Sequence, residues 1–455
     1  MRKHDKSRRA YLKGLGVAGI AGLAGCTGGG GGGGGDGEDT TTTATTTEDT
    51  GSDTTTSSSY PDVLTVIGYP ASGIQIFRDF YSQWEDEGID ILVPDGLQQG
   101  DLPDQVGNPM DNVTGTVPSP VGPNREDFTD LFRDEYGEPP SIFTYHTFDA
   151  VSILMLANAA AGENSGEAVR DQMRRVANGD GMAVGPGNLV EGINAAARGE
   201  AVNYQGASSP TDFDKRGDPA ASAYGVWNFN PDTETGYETS ETINFSGEAG
   251  GPSADSSPGG TGRTVKVGLM LPETGDLAAV GKPMIKAGEL AAKVVNNGDA
   301  DVDVDLSFQD TQTSPQAGIN AANSLINAGY PAIAGPASSG VNVPVSQNAF
   351  IPNKVVGCSP SSTALSVSFL EDDDFIFRTA PSDLLQGQVM AQVAAKNLGA
   401  STTSTMYVNN DYGQQLSKQY TETFTGEHGG AVWETVGFQK EQSSYTSVIQ
   451  ESLSE

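Results

Sequence analysis

The stretch that decides the fold is VKVGLMLPETGDLAAVGKPMIKAGELAAKVV at residues 265–295, followed by VDVDLSF at 302–308. Residues 265–271 are a continuous apolar run of strand length, and 279–295 repeat apolar residues at helical spacing. The alternation of apolar and acidic residues at 302–308 predicts a second strand. A strand, a helix and a strand in this order predict two parallel strands joined by a crossover helix.

The same alternation continues along both halves of the chain. Helices are predicted at 73–84, 148–161, 388–398 and 414–424, and strands at 63–67, 89–93, 332–334, 354–357, 375–378 and 405–408. This pattern predicts an α/β protein whose parallel sheets are covered by helices on both faces. In such sheets, ligands bind on the loops that follow the carboxyl ends of the strands.

The composition excludes several classes of function. The 455 residues include 59 Asp and Glu against 25 Lys and Arg, a net charge of −34. Such a surface repels nucleic-acid phosphates and anionic lipid, and it suits a protein that works in concentrated salt. Three His and two widely separated Cys exclude most zinc, haem and iron–sulfur sites, so neither a metal nor a cofactor is expected.

The first 26 residues have the pattern of an export signal. Basic residues precede a short apolar run at 14–25 that ends at Cys26 and is too short to cross a bilayer. SRRAYLK at 7–13 resembles the twin-arginine export motif, and LAGC at 23–26 resembles a lipobox. The resemblance, of haloarchaeal lipoprotein type, implies lipidation of Cys26 and anchoring at the outer membrane face. A free structural cysteine after a chance basic run is the alternative.

Two low-complexity stretches delimit the parts that fold. Residues 27–59 are rich in Gly, Thr, Ser and acids and lack the apolar content to fold, which predicts an extended stalk. Residues 246–263 form a second Gly/Ser/Pro-rich stretch, a linker between blocks 60–245 and 264–455.

Several short motifs in the two blocks together resemble one protein family. In block 264–455 the motifs are VGLMLPETGDLAA at 267–279, GPASSG at 335–340, SPSSTA at 359–364, FRT at 377–379 and NNDYG at 409–413. In block 60–245 they are DVLTVIGYPASG at 62–73, VPDG at 93–96 and HTFDA at 146–150. This ordered set resembles the solute-binding proteins of branched-chain amino-acid ABC transporters, and the motifs of block 60–245 resemble later parts of that family.

This resemblance implies a type I periplasmic-binding fold, in which two Rossmann-like lobes joined by a three-strand hinge close on a ligand. The order of the motifs is inverted, because family members begin with the segment found here at 264. We therefore interpret the chain as a circular permutation, with the family's C-terminal half in 60–245 and its N-terminal half in 264–455. A rearranged gene or an assembly artefact that yields no protein is the alternative.

The resemblance also implies a set of ligand-binding residues. Hydroxyl groups suit the carboxylate of an amino acid, a buried acid suits its ammonium, and aromatic rings cover the ligand. The predicted ligand-binding residues are Ser338, Ser339, Ser361 and Thr363 for the carboxylate and ammonium, Asp95 for the ammonium, and Tyr412 and Tyr69 as aromatic cover. Each has a structural alternative, since such residues also cap turns, face water or pack in a core. Val280 stands where several family members have an aromatic residue, which leaves the side-chain specificity open.

The function implied is capture of a small polar ligand, a branched-chain or related amino acid, and its delivery to the permease subunits of an ABC importer. Two alternatives stay open: a cell-surface sensor of the same fold, and a binder of amides, urea or short acids. An enzyme is not expected, because the chain lacks a G-x-S-x-G elbow, a Walker loop and an H-E-x-x-H pair. Cys358 is expected to be a small buried residue.

Overall fold

Two large sheets organise the described part of the chain, residues 59–455 of a computed structural model. The predictions for the signal, the lipidated Cys26 and the stalk up to residue 58 lie outside these residues. The strands are β1 Val63–Ile67, β2 Asp90–Val93, β3 Val113–Pro118, β4 Met182–Val184, β5 Val202–Tyr204, β6 Ala221–Phe229, β7 Tyr237–Ser246, β8 Thr264–Leu271, β9 Asp303–Asp310, β10 Ala332–Ala334, β11 Val356–Ser359, β12 Ile376–Arg378, β13 Thr402–Val408 and β14 Ala431–Phe438.

The helices lie between these strands, as the alternating pattern predicts. They are α1 Pro70–Trp84, α2 Leu102–Val106, α3 Arg125–Tyr136, α4 Ile142–Ala161, α5 Gly166–Ala177, α6 Leu189–Ala197, α7 Ala278–Asn297, α8 Pro315–Asn327, α9 Ser339–Val345, α10 Leu365–Ser368, α11 Asp383–Gln392, α12 Asp411–His428 and α13 Thr446–Ser452. Among residues 59–455, none of the helices is both long enough and apolar enough to cross a membrane.

Each large sheet belongs to one lobe. Lobe A contains the seven-stranded sheet β14-β13-β1-β2-β3-β6-β7, and lobe B contains the five-stranded sheet β12-β11-β10-β8-β9. The pairs are parallel except β3 with β6 and β6 with β7, which are antiparallel. The predicted α/β fold with parallel-sheet lobes is confirmed. Strands β6 and β7 are an antiparallel addition to one edge of the lobe A sheet, and a short turn at 230–236 joins them.

Both halves of the chain contribute to each lobe. Strand β1 pairs with β13, so the beginning and the end of the described chain share the sheet of lobe A. Helix α4 comes from the first half and packs on β8 and β10 of lobe B. Nearly every residue of α4 is buried, as expected for a helix that is apolar on all sides.

The chain passes between the lobes at 119–124, 205–220, 247–263 and 379–382. The third passage is the Gly/Ser/Pro-rich linker, which follows the surface of lobe B through regular hydrogen bonds. The amides of Gly259 and Gly260 donate to the carbonyls of Ala160 and Ala197, at 2.9 and 2.7 Å. The linker therefore begins where β7 ends and is held against α4 and α6.

Candidate functional site

The candidate site is a narrow cavity between the lobes, formed by loops at the carboxyl ends of their strands. Its lining residues are Tyr69, Asp95, Gly96, Phe143, Leu277, Val280, Ala337, Ser338, Ser339, Ser361 and Tyr412. Six of the seven predicted ligand-binding residues are thus brought together. Thr363 is not among them: it is buried beside the cavity, and its carbonyl accepts a hydrogen bond from the amide of Asp383 at 2.8 Å.

Lobe A contributes two tyrosines and a buried acid. The rings of Tyr69 and Tyr412 stack with centroids 5.8 Å apart and an interplanar angle of 11°. The Tyr412 hydroxyl lies 3.5 Å from Asp95 and 3.4 Å from the amide of Gly96. A Cβ on Gly96 would lie 2.3 Å from the carbonyl oxygen of Gly68, so only glycine lets these loops approach so closely.

Lobe B contributes the serine hydroxyls, which are held by bonds within two adjacent loops. Ser361 Oγ donates to the carbonyl of Ala337 at 3.2 Å, and Ser339 Oγ accepts from the amide of Ala364 at 3.1 Å. The fully buried Arg378 donates to the carbonyls of Ser362 and Ala364 at 3.1 and 3.0 Å. Arg378 therefore holds in place the loop that carries Ser361.

The Arg378 guanidinium has its own anion partner. Its Nε and Nη2 donate to the carboxylate of Asp218, at 2.6 and 3.0 Å. Paired charges of this bidentate geometry are the form in which an arginine is tolerated in a protein interior. Asp218 lies on the passage at 205–220, so the shape of the serine loop depends on both halves of the chain.

Asp95 is the acidic group of the cavity. Burial raises its pKa to about 6, and hydrogen bonds from Gln386 and Tyr412 lower it to a smaller extent. A cation bound beside Asp95 would restore its charged form, because an opposite charge at short range favours ionisation. An amino-acid ammonium is a ligand of this kind.

A second buried acid, Asp383, was missed by the sequence analysis. Neither of its carboxyl oxygens has a hydrogen-bond partner among residues 59–455. Burial, and then the charge of Asp95, raise the pKa of Asp383 well above its ordinary value. The Thr363 hydroxyl acts in the opposite direction and lowers the pKa of Asp383. Asp383 therefore adds a second buried carboxyl group close to Asp95.

The two lobes are in contact around the cavity. Ser72 Oγ on α1 donates to both carboxylate oxygens of Asp276 in lobe B, at 2.9 and 3.1 Å. On another side, the Ser366 amide donates to Gln415 at 2.7 Å and Lys440 donates to the carbonyl of Thr313 at 2.8 Å. The lobes thus contact each other on more than one side, and both contribute residues to the cavity.

Two apolar residues of the lining also escaped the sequence analysis. Phe143 is at the start of α4, which was predicted to begin at 148, and Leu277 precedes α7 in the fold-deciding stretch. Neither carries a chemical signal in the sequence, since a lone apolar residue at a helix start is equally suited to a core. Cys358 is buried, as expected, and burial raises the pKa of its thiol.

Comparisons with known proteins agree with this architecture. Residues 264–454 match a family model described as periplasmic binding protein, and residues 54–232 match one described as receptor family ligand binding region. The chain is 31% identical over 160 residues to the Leu/Ile/Val-binding protein homolog 3 of Brucella melitensis, covering 34% of this chain and 42% of that protein. It is 28% identical over 174 residues to the Leu/Ile/Val-binding protein BraC3 of Rhizobium johnstonii, covering 38% and 46%.

Solved structures of similar proteins overlap with part of the chain. The leucine-binding protein LivK of Thermotoga maritima is 29% identical, with a TM-score of 0.37 and coverage of 41% of this chain and 52% of that one. LivJ of Streptococcus pneumoniae, in complex with isoleucine, is 22% identical, with a TM-score of 0.36 and coverage of 41% and 53%.

The matched segments span less than half the length of the two curated relatives. Periplasmic binding proteins act outside the cytoplasm and bind ligands without catalysing a reaction. Each half of the chain thus matches a family model of ligand-binding proteins, and the two α/β lobes face each other across a cavity. The chain therefore has the α/β fold of two parallel-sheet lobes and is similar to periplasmic binding proteins, with Leu/Ile/Val-binding proteins among its homologues.

Proposed function

We propose that this protein captures an α-amino acid, of branched-chain or related type, between its lobes and delivers it to an ABC importer. The observation that carries the proposal is the cavity between the lobes, which brings buried Asp95 of lobe A together with Ser338, Ser339 and Ser361 of lobe B. An acid and a set of hydroxyl donors on opposite walls match the two charged groups of an amino acid.

The roles follow from chemistry. Asp95 takes the ammonium, and the serine hydroxyls of lobe B take the carboxylate. Tyr69 and Tyr412 cover the ligand from lobe A. Thr363 acts indirectly, through its contact with Asp383. Ligand contacts on both lobes favour closure, and the gain equals the ligand's differential affinity for the closed form.

Delivery to a permease and anchoring through a lipid on Cys26 are parts of the same proposal. They draw support from the lipobox-like LAGC at 23–26 and from the family, whose members work with ABC transporters. The expected test is mass spectrometry of the membrane-associated protein: a mature N-terminus at Cys26 with a lipid adduct supports anchoring, and an unmodified Cys26 contradicts it.

We also propose that the chain is a circular permutation of the family order. In support, β1 pairs with β13, and α13 near the chain's end packs against α1, where the amide of Tyr445 donates to Asp79 at 2.5 Å. A rearranged chain that starts at 264, joins 455 directly to 60 and ends at 246 should fold and bind the same ligand with similar affinity. Loss of cooperative folding in the rearranged chain would contradict this proposal.

Thermal unfolding tests the amino-acid proposal. At a hundredfold its dissociation constant, a ligand of the folded state adds about 2.7 kcal/mol of stability. The purified protein, dialysed in high salt, should show this stabilisation with leucine, isoleucine or valine, and the Asp95→Ala variant should not. Stabilisation only by short organic acids would contradict the proposal.

A further inference from the structure

The sequence contains two Asn-x-Ser/Thr sequons, the acceptor pattern for N-linked glycans. They are Asn112-Val-Thr114, where β3 begins, and Asn244-Phe-Ser246 at the end of β7. Periplasmic binding proteins, to which the chain is similar, act outside the cytoplasm, and N-linked glycans are attached on that side of the membrane. The structure around each asparagine then determines whether a transferase can reach it.

The first sequon is engaged in the fold. Asn112 Nδ2 donates to the carbonyl of Ile89 at 2.8 Å, and Asn112 Oδ1 accepts from the Tyr81 hydroxyl at 2.7 Å. The Thr114 hydroxyl accepts from Asn228 at 3.0 Å, and β3 lies inside the sheet between β2 and β6. A transferase can use Asn112 only after these contacts are broken.

The side chains of the second sequon lie on the surface. Strand β7 is at the edge of the lobe A sheet, and side chains along a strand alternate between its two faces. Asn244 and Ser246 share one face and are exposed, whereas Ile243 and Phe245 are partly buried on the other. Within residues 59–455, the Asn244 carboxamide takes part in no hydrogen bond. Its Nδ2 is therefore accessible and uncommitted.

The backbone of the second sequon also faces outward. The pairing register places Asn244 opposite Ala223 on β6. The Ala223 carbonyl accepts from the amide of Ser119 at 2.7 Å, so the backbone groups of Ala223 point toward β3. In an antiparallel pair, two residues that face each other in this way do not exchange hydrogen bonds, and the amide and carbonyl of Asn244 point away from β6. The open edge of the sheet thus presents this sequon to a partner.

We propose that Asn244 carries an N-linked glycan and that Asn112 does not. The donor is a lipid-linked oligosaccharide, in which a phosphate joins C1 of the first sugar to the lipid. A bond forms between Asn244 Nδ2 and C1, and the bond between C1 and the phosphate oxygen breaks. The lipid phosphate leaves with the electron pair of that bond, one Nδ2 proton passes through the transferase to water, and nothing is oxidised or reduced.

Peptide mass spectrometry of protein purified from the cells that naturally produce it tests the proposal. Cleavage by trypsin places Asn112 in peptide 79–125 and Asn244 in peptide 217–263, with one sequon in each. We expect peptide 217–263 to carry the added mass of an oligosaccharide and peptide 79–125 to have its sequence mass. An unmodified peptide 217–263, or a glycan on peptide 79–125, would overturn the proposal.

Three variants assign the modification to the sequon. Asn244→Gln removes the acceptor and Ser246→Ala removes the sequon hydroxyl, so both should lose the added mass. Ser246→Thr keeps a hydroxyl and should retain it. A glycan that persists in Ser246→Ala, or that is lost in Ser246→Thr, would contradict the assignment. The unfolding midpoint of each variant shows that it has kept its fold, as expected for changes at exposed positions.

A reaction in vitro tests whether the fold makes the selection. The unmodified protein, produced in a cytoplasm, is incubated with membranes of the natural cells, which supply the transferase and the donor. Synthetic peptides 109–117 and 241–249 carry the two sequons without the fold. Both peptides should be modified, but the folded protein should be modified at Asn244 alone. Modification of Asn112 in the folded protein to the extent seen in its peptide would overturn the proposal.

This inference goes beyond ligand capture and is independent of it. Neither sequon lines the candidate cavity, so Asn244→Gln should bind leucine with the affinity of the parent protein. Failure of the protein to bind any amino acid would overturn the proposed function and leave the glycan assignment intact. An unmodified Asn244 would do the reverse.

Discussion

The hydroxyl of Tyr69 on lobe A lies 2.9 Å from Oγ of Ser338 on lobe B, and both residues line the cavity between the lobes. Asn410 Nδ2 donates to the same tyrosine hydroxyl at 3.0 Å. Because the hydroxyl already accepts from Asn410, its own proton is available to Ser338. A hydrogen bond between two lobes exists only when they are closed, so this pair links closure directly to the wall of the ligand cavity.

Tyr69→Phe should therefore weaken ligand binding while leaving the stacked ring in place. One hydrogen bond is worth about 1 kcal/mol, so we expect roughly a fivefold loss of affinity for the amino-acid ligand. The measurement is calorimetric titration of Tyr69→Phe, Ser338→Ala and the double variant. The two changes should be non-additive, since they remove the same contact. Fully additive losses would show that the two residues act independently.

Because the Ser72–Asp276 contact joins the two lobes, its removal should let the lobes open further in the ligand-free protein. Ser72→Ala removes the donor that meets both oxygens of the buried Asp276 carboxylate. Loss of a hydrogen bond to a charged group costs about 1.5–3 kcal/mol, and here that penalty applies only to the closed form. Small-angle X-ray scattering of the ligand-free variant should show a larger radius of gyration than the parent protein.

A matched control for this prediction lies on the same helix. Ser82 Oγ donates to the carbonyl of Asp79 within lobe A and is exposed. Ser82→Ala should leave the radius of gyration and the ligand affinity unchanged. Equal scattering curves for Ser72→Ala and the parent protein would mean that the Asp276 contact does not hold the lobes together.

The strands and helices could be predicted from the sequence where the element itself carries a clear apolar pattern. The predicted strand at 332–334 is β10 without change, and 265–271 differs from β8 by one residue. Strand β7 was not predicted, because it is an exposed edge strand of mostly polar residues, and such a strand has no buried face to show in the sequence. Strand β6 was not predicted either, although it is buried along most of its length. Helix α4 begins six residues earlier than predicted, since tertiary contacts bury its polar start.

The hydroxyl residues of the site could be predicted from the sequence. Of its two buried acids, Asp95 was predicted and Asp383 was not. The serines stand in short motifs that follow strands, and those loops meet at one edge of a parallel sheet. Asp383 is one of 59 acids and follows a strand like many others. Only its burial, with both oxygens unpartnered among residues 59–455, marks it as unusual, and that property depends on the packing of both lobes.

Ligand affinity should depend on pH through Asp95. Burial raises its pKa to about 6 in the ligand-free protein, so below pH 6 the carboxyl group is neutral and offers no charge to an ammonium. Binding should weaken roughly tenfold for each pH unit below 6 and level off above 7, because one proton must be released for each ligand bound. Calorimetric titration from pH 5 to 8 checks this. The Asp95→Asn variant should bind weakly, with a flat profile.

The same raised pKa predicts that Asp95 lowers the stability of the ligand-free protein at neutral pH. The folded-state pKa of about 6 lies above the ordinary value of 3.8. This group therefore favours folding most below pH 4, and that contribution is lost as the pH rises through 6. Asp95→Asn removes the buried charge and should raise the free energy of unfolding at pH 7.5 by about 1–3 kcal/mol.

Asp149 serves as a control for the prediction about Asp95→Asn. Burial raises its pKa to about 6 as well, but its carboxylate accepts hydrogen bonds from Tyr204, from the amide of Ala207 and from both the amide and the hydroxyl of Ser208. An asparagine at position 149 has only one acceptor oxygen, and its amide NH₂ group, which donates, would face donors that now bind the second carboxylate oxygen. Asp149→Asn should therefore destabilise the protein by about 1–3 kcal/mol. Chemical denaturation at pH 7.5 compares the two variants, and a shift of the same sign in both would contradict the assignment of Asp95 to a site built for a ligand's positive charge.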